Sequence, residues 1–429
     1  MPDADRSNSK SPDYDAVVIG ASLAGCTTAI LLGRAGARVA LVEKSPDPAA
    51  FKRVCSHFIQ ASAVPTLERL GLLDTILAAG GVRSQMRAWT PWGWIEAPPE
   101  QGAKSVNLRR EILDPLIREE AAATPGVELM LGRTARGLTG ARDGVRGVII
   151  RDSAGEEREL CAQLVVGADG RDSRIAELSG VATKTLPHGR FAYGAYYDGA
   201  LPEGAPDGRI WMLDPQWAAA FPTDSGLVFY AAMLTKDRLP EFKRDPEKAL
   251  VSFLSDLPEA PPILAARRVS PVLGKIEMPN RVSETTAPHL ALVGDAALAA
   301  DPLFGVGCGW ALQSGEWLVE SVAPALQGAE PLERGLARYR RRHRRELRGH
   351  ALFVNDYATG RPMSAGEKSL FAAAARDPKV ATIFDEFGTR QIKPVRMLTT
   401  AMPRVLAVNA RHALGRHRSA TTESGVAAV

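Results

Sequence analysis

Tight glycine bends set directly after apolar runs, with an acid at a fixed reach beyond, are the chemistry-bearing pattern of this chain. The run Asp15-Ala16-Val17-Val18-Ile19 leads into Gly20-Ala21-Ser22-Leu23-Ala24-Gly25. A helix-like stretch follows to Gly36, and Arg38-Val39-Ala40-Leu41-Val42 ends on Glu43. Strand, glycine turn, helix, strand and acid in that order are what binding a dinucleotide requires. Gly20 permits the bend, Gly25 lets the helix approach the strand, and Ser22 is small enough for a phosphate to come close. The N–H groups of Ser22, Leu23 and Ala24 open the helix, where the positive end of its dipole favours a pyrophosphate. The Glu43 carboxylate suits both hydroxyls of a ribose and disfavours a 2′-phosphate, with Lys44 beside it.

Two further bends repeat the pattern. Leu164-Val165-Val166 ends in Gly167-Ala168-Asp169-Gly170, and Leu290-Ala291-Leu292-Val293 ends in Gly294-Asp295-Ala296-Ala297. The second is followed by Asp301-Pro302-Leu303-Phe304-Gly305-Val306-Gly307-Cys308-Gly309, which starts a helix. Asp295 is placed to meet a sugar-like hydroxyl. The first N–H groups of that helix suit the pyrimidine end of an isoalloxazine ring, which is negative when reduced. Three bends in this order imply FAD as the resident cofactor, not a loosely held nicotinamide.

The elements that must position these bends follow from the periodicity. The expectation is an α/β fold with a Rossmann-like FAD-binding lobe, an interleaved β-sheet substrate lobe and a helical C-terminal segment. Residues 14–82, 104–188 and 281–330 are assigned to the FAD lobe. Residues 83–103 and 189–280 carry strand-like aromatic runs at 87–90, 191–197, 209–213 and 227–233, expected to roof the flavin and shape a pocket. Residues 331–410 are expected to be helices, 1–13 a disordered start and 411–429 a flexible tail.

The motifs resemble those of the group A, para-hydroxybenzoate-hydroxylase-like flavoprotein monooxygenase superfamily, which also holds flavin halogenases and geranylgeranyl reductases. The resemblance spans residues 14–330. It implies that Gly20, Ser22, Gly25 and Glu43 hold the ADP part of FAD, while Asp169 and Gly170 touch FAD and help accept the nicotinamide. Gly294, Asp295, Pro302, Gly305 and Gly307 would surround the ribityl chain and flavin ring, with Cys308 adjoining. Arg110, in Arg110-Glu111-Ile112-Leu113-Asp114, stands where the family often places an arginine near the flavin. Leu298 replaces the histidine that aromatic hydroxylases carry after Gly-Asp-Ala-Ala, and Ser173-Arg174-Ile175-Ala176 lacks the usual final arginine. Asp-Pro-x-x-Gly-x-Gly followed by Ser314-Gly315 is similar to the halogenase and reductase branches.

Cys55, in Lys52-Arg53-Val54-Cys55-Ser56-His57, lies near the position of a Lys-x-Cys-Gly stretch that faces the flavin in geranylgeranyl reductases, with Ser56 in place of glycine. A buried structural cysteine is the other reading. Arg53 and His57 are candidates to line the flavin or nicotinamide approach. Trp92-Gly93-Trp94-Ile95 looks like the paired-tryptophan motif of halogenases, but it precedes Asp169 instead of following it. The two tryptophans are therefore read as sheet or turn residues.

The reaction this resemblance implies is FAD-dependent monooxygenation. NAD(P)H would reduce FAD, and O2 would form a flavin 4a-hydroperoxide that oxygenates an apolar or aromatic small molecule of secondary metabolism. Such flavin-centred chemistry needs no catalytic triad; Cys55, His57 and Pro302 are the catalytic candidates. Three alternatives stay open: a reductase or desaturase of the geranylgeranyl reductase type, a flavin halogenase, and an FAD-binding scaffold without redox turnover.

Composition bounds the rest. With 429 residues, 45% apolar and 24% charged, the chain can bury two lobes. No apolar run approaches the roughly 18 residues of a membrane span, and Met1–Pro12 lacks a signal peptide's hydrophobic region. A cytoplasmic location without membrane insertion is expected. Cys26, Cys55, Cys161 and Cys308 show no CxxC spacing and the histidines no metal pairing, so neither a disulfide framework nor a metal is expected. The net charge of +4 conceals a run of arginines between Arg334 and Arg348, above Leu336, Tyr339, His343 and Leu347 at helical spacing. That basic face is either simply solvated or a dock for an acidic carrier protein; a reductase partner is a further possibility. Nucleic acid is excluded, because no stacking aromatics interleave with the arginines.

Overall fold

Ala16-Val17-Val18-Ile19 and Val39-Ala40-Leu41-Val42 are apolar on both faces, and such strands are stable only when covered on both sides. In the computed structural model, which describes residues 12–102, 104–141, 144–199, 201 and 207–426, they lie in the middle of an eight-stranded sheet. Its order is Thr286–Ala287, Leu290–Leu292, Glu157–Gly167, Tyr14–Ile19, Val39–Val42 and Val127–Met130. The antiparallel pair Thr134–Ala141 and Gly144–Arg151 attaches to the long Glu157–Gly167 strand. From Leu290–Leu292 across to Val127–Met130 every pairing is parallel.

Register is what gathers the three bends. Ile19 pairs with both Gly167 and Val42, and Gly167 pairs with Leu292. All three bends therefore leave the sheet at one edge, the carboxyl ends of the strands, where an open α/β sheet binds its ligand. Backbone bonds extend the alignment past the strands. The Gly20 N–H donates to the Val42 carbonyl at 2.7 Å, Ala168 to Ile19 at 2.8 Å, and Val293 to Gly167 at 2.9 Å. The helices Leu23–Arg34 and Gly307–Leu326 then pack together. A Cβ on Gly25 would lie 1.8 Å from the Gly20 oxygen and one on Gly315 2.9 Å from the Ala24 oxygen. No residue with a side chain fits at Gly25 unless the helix moves off the strand.

A second sheet runs Arg267–Arg268, Arg190–Asp198, Val228–Thr235, Trp217–Pro222, Gly208–Met212, Met86–Thr90 and Gly93–Ile95. It gathers the aromatic runs of both inserts. Trp94 lies in its last strand and Trp92 in the turn before it. The Trp217–Pro222 strand has no clear sequence signal, since Ala218-Ala219-Ala220 has little strand propensity; it forms because it is wholly buried between two neighbours. The 189–280 insert is also not purely strand. It carries helices Leu239–Arg244 and Pro246–Ser255, the latter capped by the Asp245 carboxylate, which accepts the Lys248 N–H at 3.0 Å.

Four longer helices, Leu332–Tyr357, Ala365–Ala374, Pro378–Gly388 and Pro394–Val426, close the fold. The last runs through the tail boundary expected at 410, so the backbone stays helical to Val426. Residues 427–429, and 1–11 of the start expected to be disordered, lie outside the described residues. Between these helices, the second sheet and the loop after Asp301 sits an apolar cluster that includes Phe58, Trp217, Phe221, Leu303 and Tyr357.

Candidate active site

At the shared sheet edge, Glu43 closes the first bend. Its Oε2 accepts the Ala21 N–H at 2.9 Å and its Oε1 the Ser45 N–H at 2.9 Å, which clamps the carboxylate at the mouth of the turn. The Leu23–Arg34 helix begins at Ser22 without a side-chain cap, and the Gly307–Leu326 helix begins at Val306 without one. Two uncapped N-termini leave backbone donors for an anionic ligand. A Cβ on Gly307 would meet nothing within 4 Å, so there is room in front of that bend. These residues fit FAD: the ADP part along Gly20–Gly25 and Glu43, and the ring at the start of the Gly307 helix.

Arg110 ties the first bend to the third. It is 2% exposed, and its Nε donates to Asp114 Oδ1 at 2.7 Å while its Nη2 donates to Ser22 Oγ at 2.8 Å. Its Nη1 lies 3.6 Å from Cys55 Sγ and 3.8 Å from Cys308 Sγ. Burial opposes its charge, but Asp114 and Cys55 hold it firmly protonated. The two sulfurs are 3.6 Å apart. The hydrogen bond from Cys308, with the positive charges of Arg110 and Lys52, holds the Cys55 thiol well below its usual range, and the same bond pushes Cys308 up. Cys55 thus sits in an electropositive niche that favours its ionised form. Lys52 donates its backbone N–H to Asp114 Oδ2 at 2.9 Å and its Nζ to Asp295 Oδ2 at 3.0 Å. Burial opposes the Asp295 charge, and Lys52 outweighs it to hold that carboxyl below its usual range.

His57 turns the same segment toward the second sheet. It holds a left-handed φ of 60°, rare for a residue with a side chain. Its Nδ1 accepts the Arg110 N–H at 2.8 Å, at the start of the Arg110–Ala123 helix. The ring proton therefore sits on Nε2, which is hydrogen-bonded to the Tyr196 hydroxyl oxygen. Burial lowers the His57 pKa to about 4 and raises that of Tyr196, so both are neutral near pH 7. With its oxygen accepting from His57, Tyr196 keeps its own proton to donate. Phe229, 5.2 Å away between ring centroids, and the Arg109 guanidinium over the ring fix its position.

The other sequence candidates are placed as follows. Lys44 and Arg53 are exposed and make no side-chain hydrogen bond or ion pair among the described residues. Asp169 spends both oxygens locally, accepting the Ser173 hydroxyl at 2.6 Å and the Ile175 N–H at 3.0 Å. Gly170 beside it has a φ of 88°. Asp301 accepts the Leu303 N–H at 2.8 Å and holds His188 Nε2 at 2.7 Å, fixing the turn that Pro302 opens. Gly305, at φ 63°, brings the loop onto Phe58, 2.5 Å from where a Cβ would sit. Three residues at the site were not singled out from sequence: Asp114, Lys52 and Tyr196. Asp114 was legible as the i,i+4 partner of Arg110. Tyr196 was not, because Tyr193, Tyr196 and Tyr197 share one strand and only the packed sheet decides which faces the flavin lobe.

Residues 13–193 match a family model described as FAD binding domain. The chain is 27% identical over 355 residues to the digeranylgeranylglycerophospholipid reductase of Methanosarcina acetivorans, covering 79% of this chain and 82% of that protein. It is 29% identical over 328 residues to the menaquinone reductase of Mycolicibacterium smegmatis, covering 71% and 75% respectively. Among solved structures it resembles the flavin-dependent brominase Bmp2 with a TM-score of 0.74 at 18% identity, covering 94% of this chain and 99% of that one. At that identity the likeness speaks for the fold.

Proposed function

We propose that this chain, an FAD-dependent oxidoreductase similar to prenyl-lipid and quinone reductases, reduces carbon–carbon double bonds in an isoprenoid chain. The observation that carries this reading is the His57–Tyr196 pair beside the Cys55 niche. Saturating an alkene takes a hydride to one carbon and a proton to the other. Bound FAD, once reduced, supplies the hydride. The chain supplies the rest. Gly20–Gly25 and Glu43 would hold the nucleotide end, and Arg110 braces the first bend against the third.

Tyr196, neutral and with a proton to give, is the donor to the second carbon; the tyrosinate left behind is held by the His57 Nε2–H and by the Arg109 guanidinium over its ring until a proton from solvent restores it. Phe304 packs on Trp217 at 5.2 Å and on Tyr357 at 5.6 Å, and Phe58 on Phe221 at 5.5 Å, so an aromatic, water-poor wall flanks the loop after Asp301. That wall suits an aliphatic chain without polar groups. By their names, the two reductases to which the chain is similar act on a geranylgeranyl lipid and on menaquinone. For that reason reduction takes precedence over the oxygenation expected from sequence. NADH, NADPH or a partner reductase would supply the electrons.

The test is anaerobic. FAD-loaded protein is reduced with NADH, NADPH or dithionite in the presence of a detergent-solubilised geranylgeranyl lipid, and the product is weighed. Gain of two hydrogens per double bond is expected. A product formed only in air, carrying label from isotopic O2, would replace this reading with the monooxygenase.

A further inference from the structure

The Leu332–Tyr357 helix buries Leu336, Tyr339, Leu347, Ala351 and Val354 and turns its arginines outward. Arg334, Arg341, Arg344 and Arg348 are exposed and make no ion pair among the described residues. Leu352, on the same outward face, is 59% exposed. The start of the C-terminal helix touches the flank of this arginine-bearing helix: a Cβ on Gly349 would sit 3.0 Å from the Pro394 ring, and Lys393 pairs with Glu346. That helix buries Met397, Ala401, Val405 and Val408, yet it is apolar on its opposite side as well. Val395 and Leu406, half a turn from the buried row, are 72% and 63% exposed, and Leu398 beside them is 46% exposed. Arg396, exposed and without an ion pair among the described residues, stands between Val395 and the buried Met397.

Exposed aliphatic side chains set near arginines, Leu352 within the arginine stripe and Val395 beside Arg396, are the composition of a surface that rests in a headgroup layer. Aliphatic tips enter the acyl boundary while guanidinium groups reach anionic headgroups. A second copy fits less well, because a two-fold pairing would set arginine row against arginine row. An acidic protein would answer the arginines but not the aliphatic side chains. We propose that this face seats the protein on an anionic lipid bilayer, peripherally and without a spanning segment.

The full-length holoprotein is floated with vesicles of phosphatidylcholine alone and of phosphatidylcholine mixed equally with phosphatidylglycerol. Recovery with the anionic vesicles only, released by salt, is expected. The double variant Arg341→Glu and Arg348→Glu should lower recovery about tenfold. Val395→Ser with Leu406→Ser should lower it several-fold. Both variants are first checked for retained FAD and an unchanged melting temperature. Equal recovery on neutral vesicles, no recovery on either, or unaffected variants would overturn the seating. So would a dimer that Val395→Ser and Leu406→Ser split, or binding to polyglutamate without binding to vesicles. Reduction of the detergent-solubilised lipid is measured in parallel. Vesicle binding without reduction sinks the prenyl-reductase reading alone, and reduction without vesicle binding sinks the seat alone.

Discussion

At the scale of single residues, the site rests on groups whose ionisation the fold has altered. Tyr196 stays protonated because burial penalises its anion, and His57 stays neutral because burial penalises its cation. Once Tyr196 has given its proton, the His57 Nε2–H and the Arg109 guanidinium offset the anion that is left, which would otherwise be costly in this apolar setting. Tyr196→Phe keeps the ring stacked on Phe229 and removes only the proton. Anaerobic transfer from reduced flavin to substrate should slow by about 100-fold, while FAD affinity and the rate of flavin reduction stay as they were. An unchanged transfer rate would remove Tyr196 from the chemistry. The residue half of the site was unevenly legible. The glycines and Glu43 announce themselves through spacing along the chain, and Arg110 only through the family resemblance. The Cys55–Cys308 and His57–Tyr196 pairs bring together residues more than a hundred positions apart, and no local pattern encodes them.

At the scale of elements, glycines decide how closely helix meets strand, and they do so for different reasons. The Gly25 backbone lies so near the Gly20 carbonyl that a methyl has no room. Gly25→Ala should lower the stability of the FAD-free protein by about 3 kcal/mol and abolish FAD binding, read by urea melts and by flavin fluorescence titration. Gly307 is the contrast, because a Cβ there enters open space. Gly307→Ala should leave the melt unchanged and weaken FAD alone, since the methyl takes up room in front of the bend. Equal effects of the two substitutions would mean that the third bend is structural, not a cradle. The Ala218-Ala219-Ala220 strand makes the complementary point. Its residues prefer no sheet by themselves, and burial between two aromatic-rich strands overrides that.

At the scale of the whole molecule, the interior holds three neutral histidines. Burial lowers His57, His343 and His350 to about 4, while in the unfolded chain each titrates near 6.5. Between these values the unfolded state binds more protons than the folded one, so stability is full above about pH 6.5 and is lost as pH falls toward about 4. With three such groups the slope should reach about 4 kcal/mol per pH unit. Urea melts across that window measure it, and His343→Gln should reduce the slope by about a third. A flat profile would mean that these rings are hydrated in the folded state. The sequence by itself determined the cofactor class and the α/β fold class. These are written in periodicity and in glycine spacing, both properties of contiguous chain. Only the tertiary structure decided which tyrosine of one strand meets His57, that the two cysteines share a niche with Arg110, and that the C-terminal helix meets the arginine-bearing helix at Gly349. Each of those is a meeting of distant segments, set by strand register and helix packing and not by local pattern.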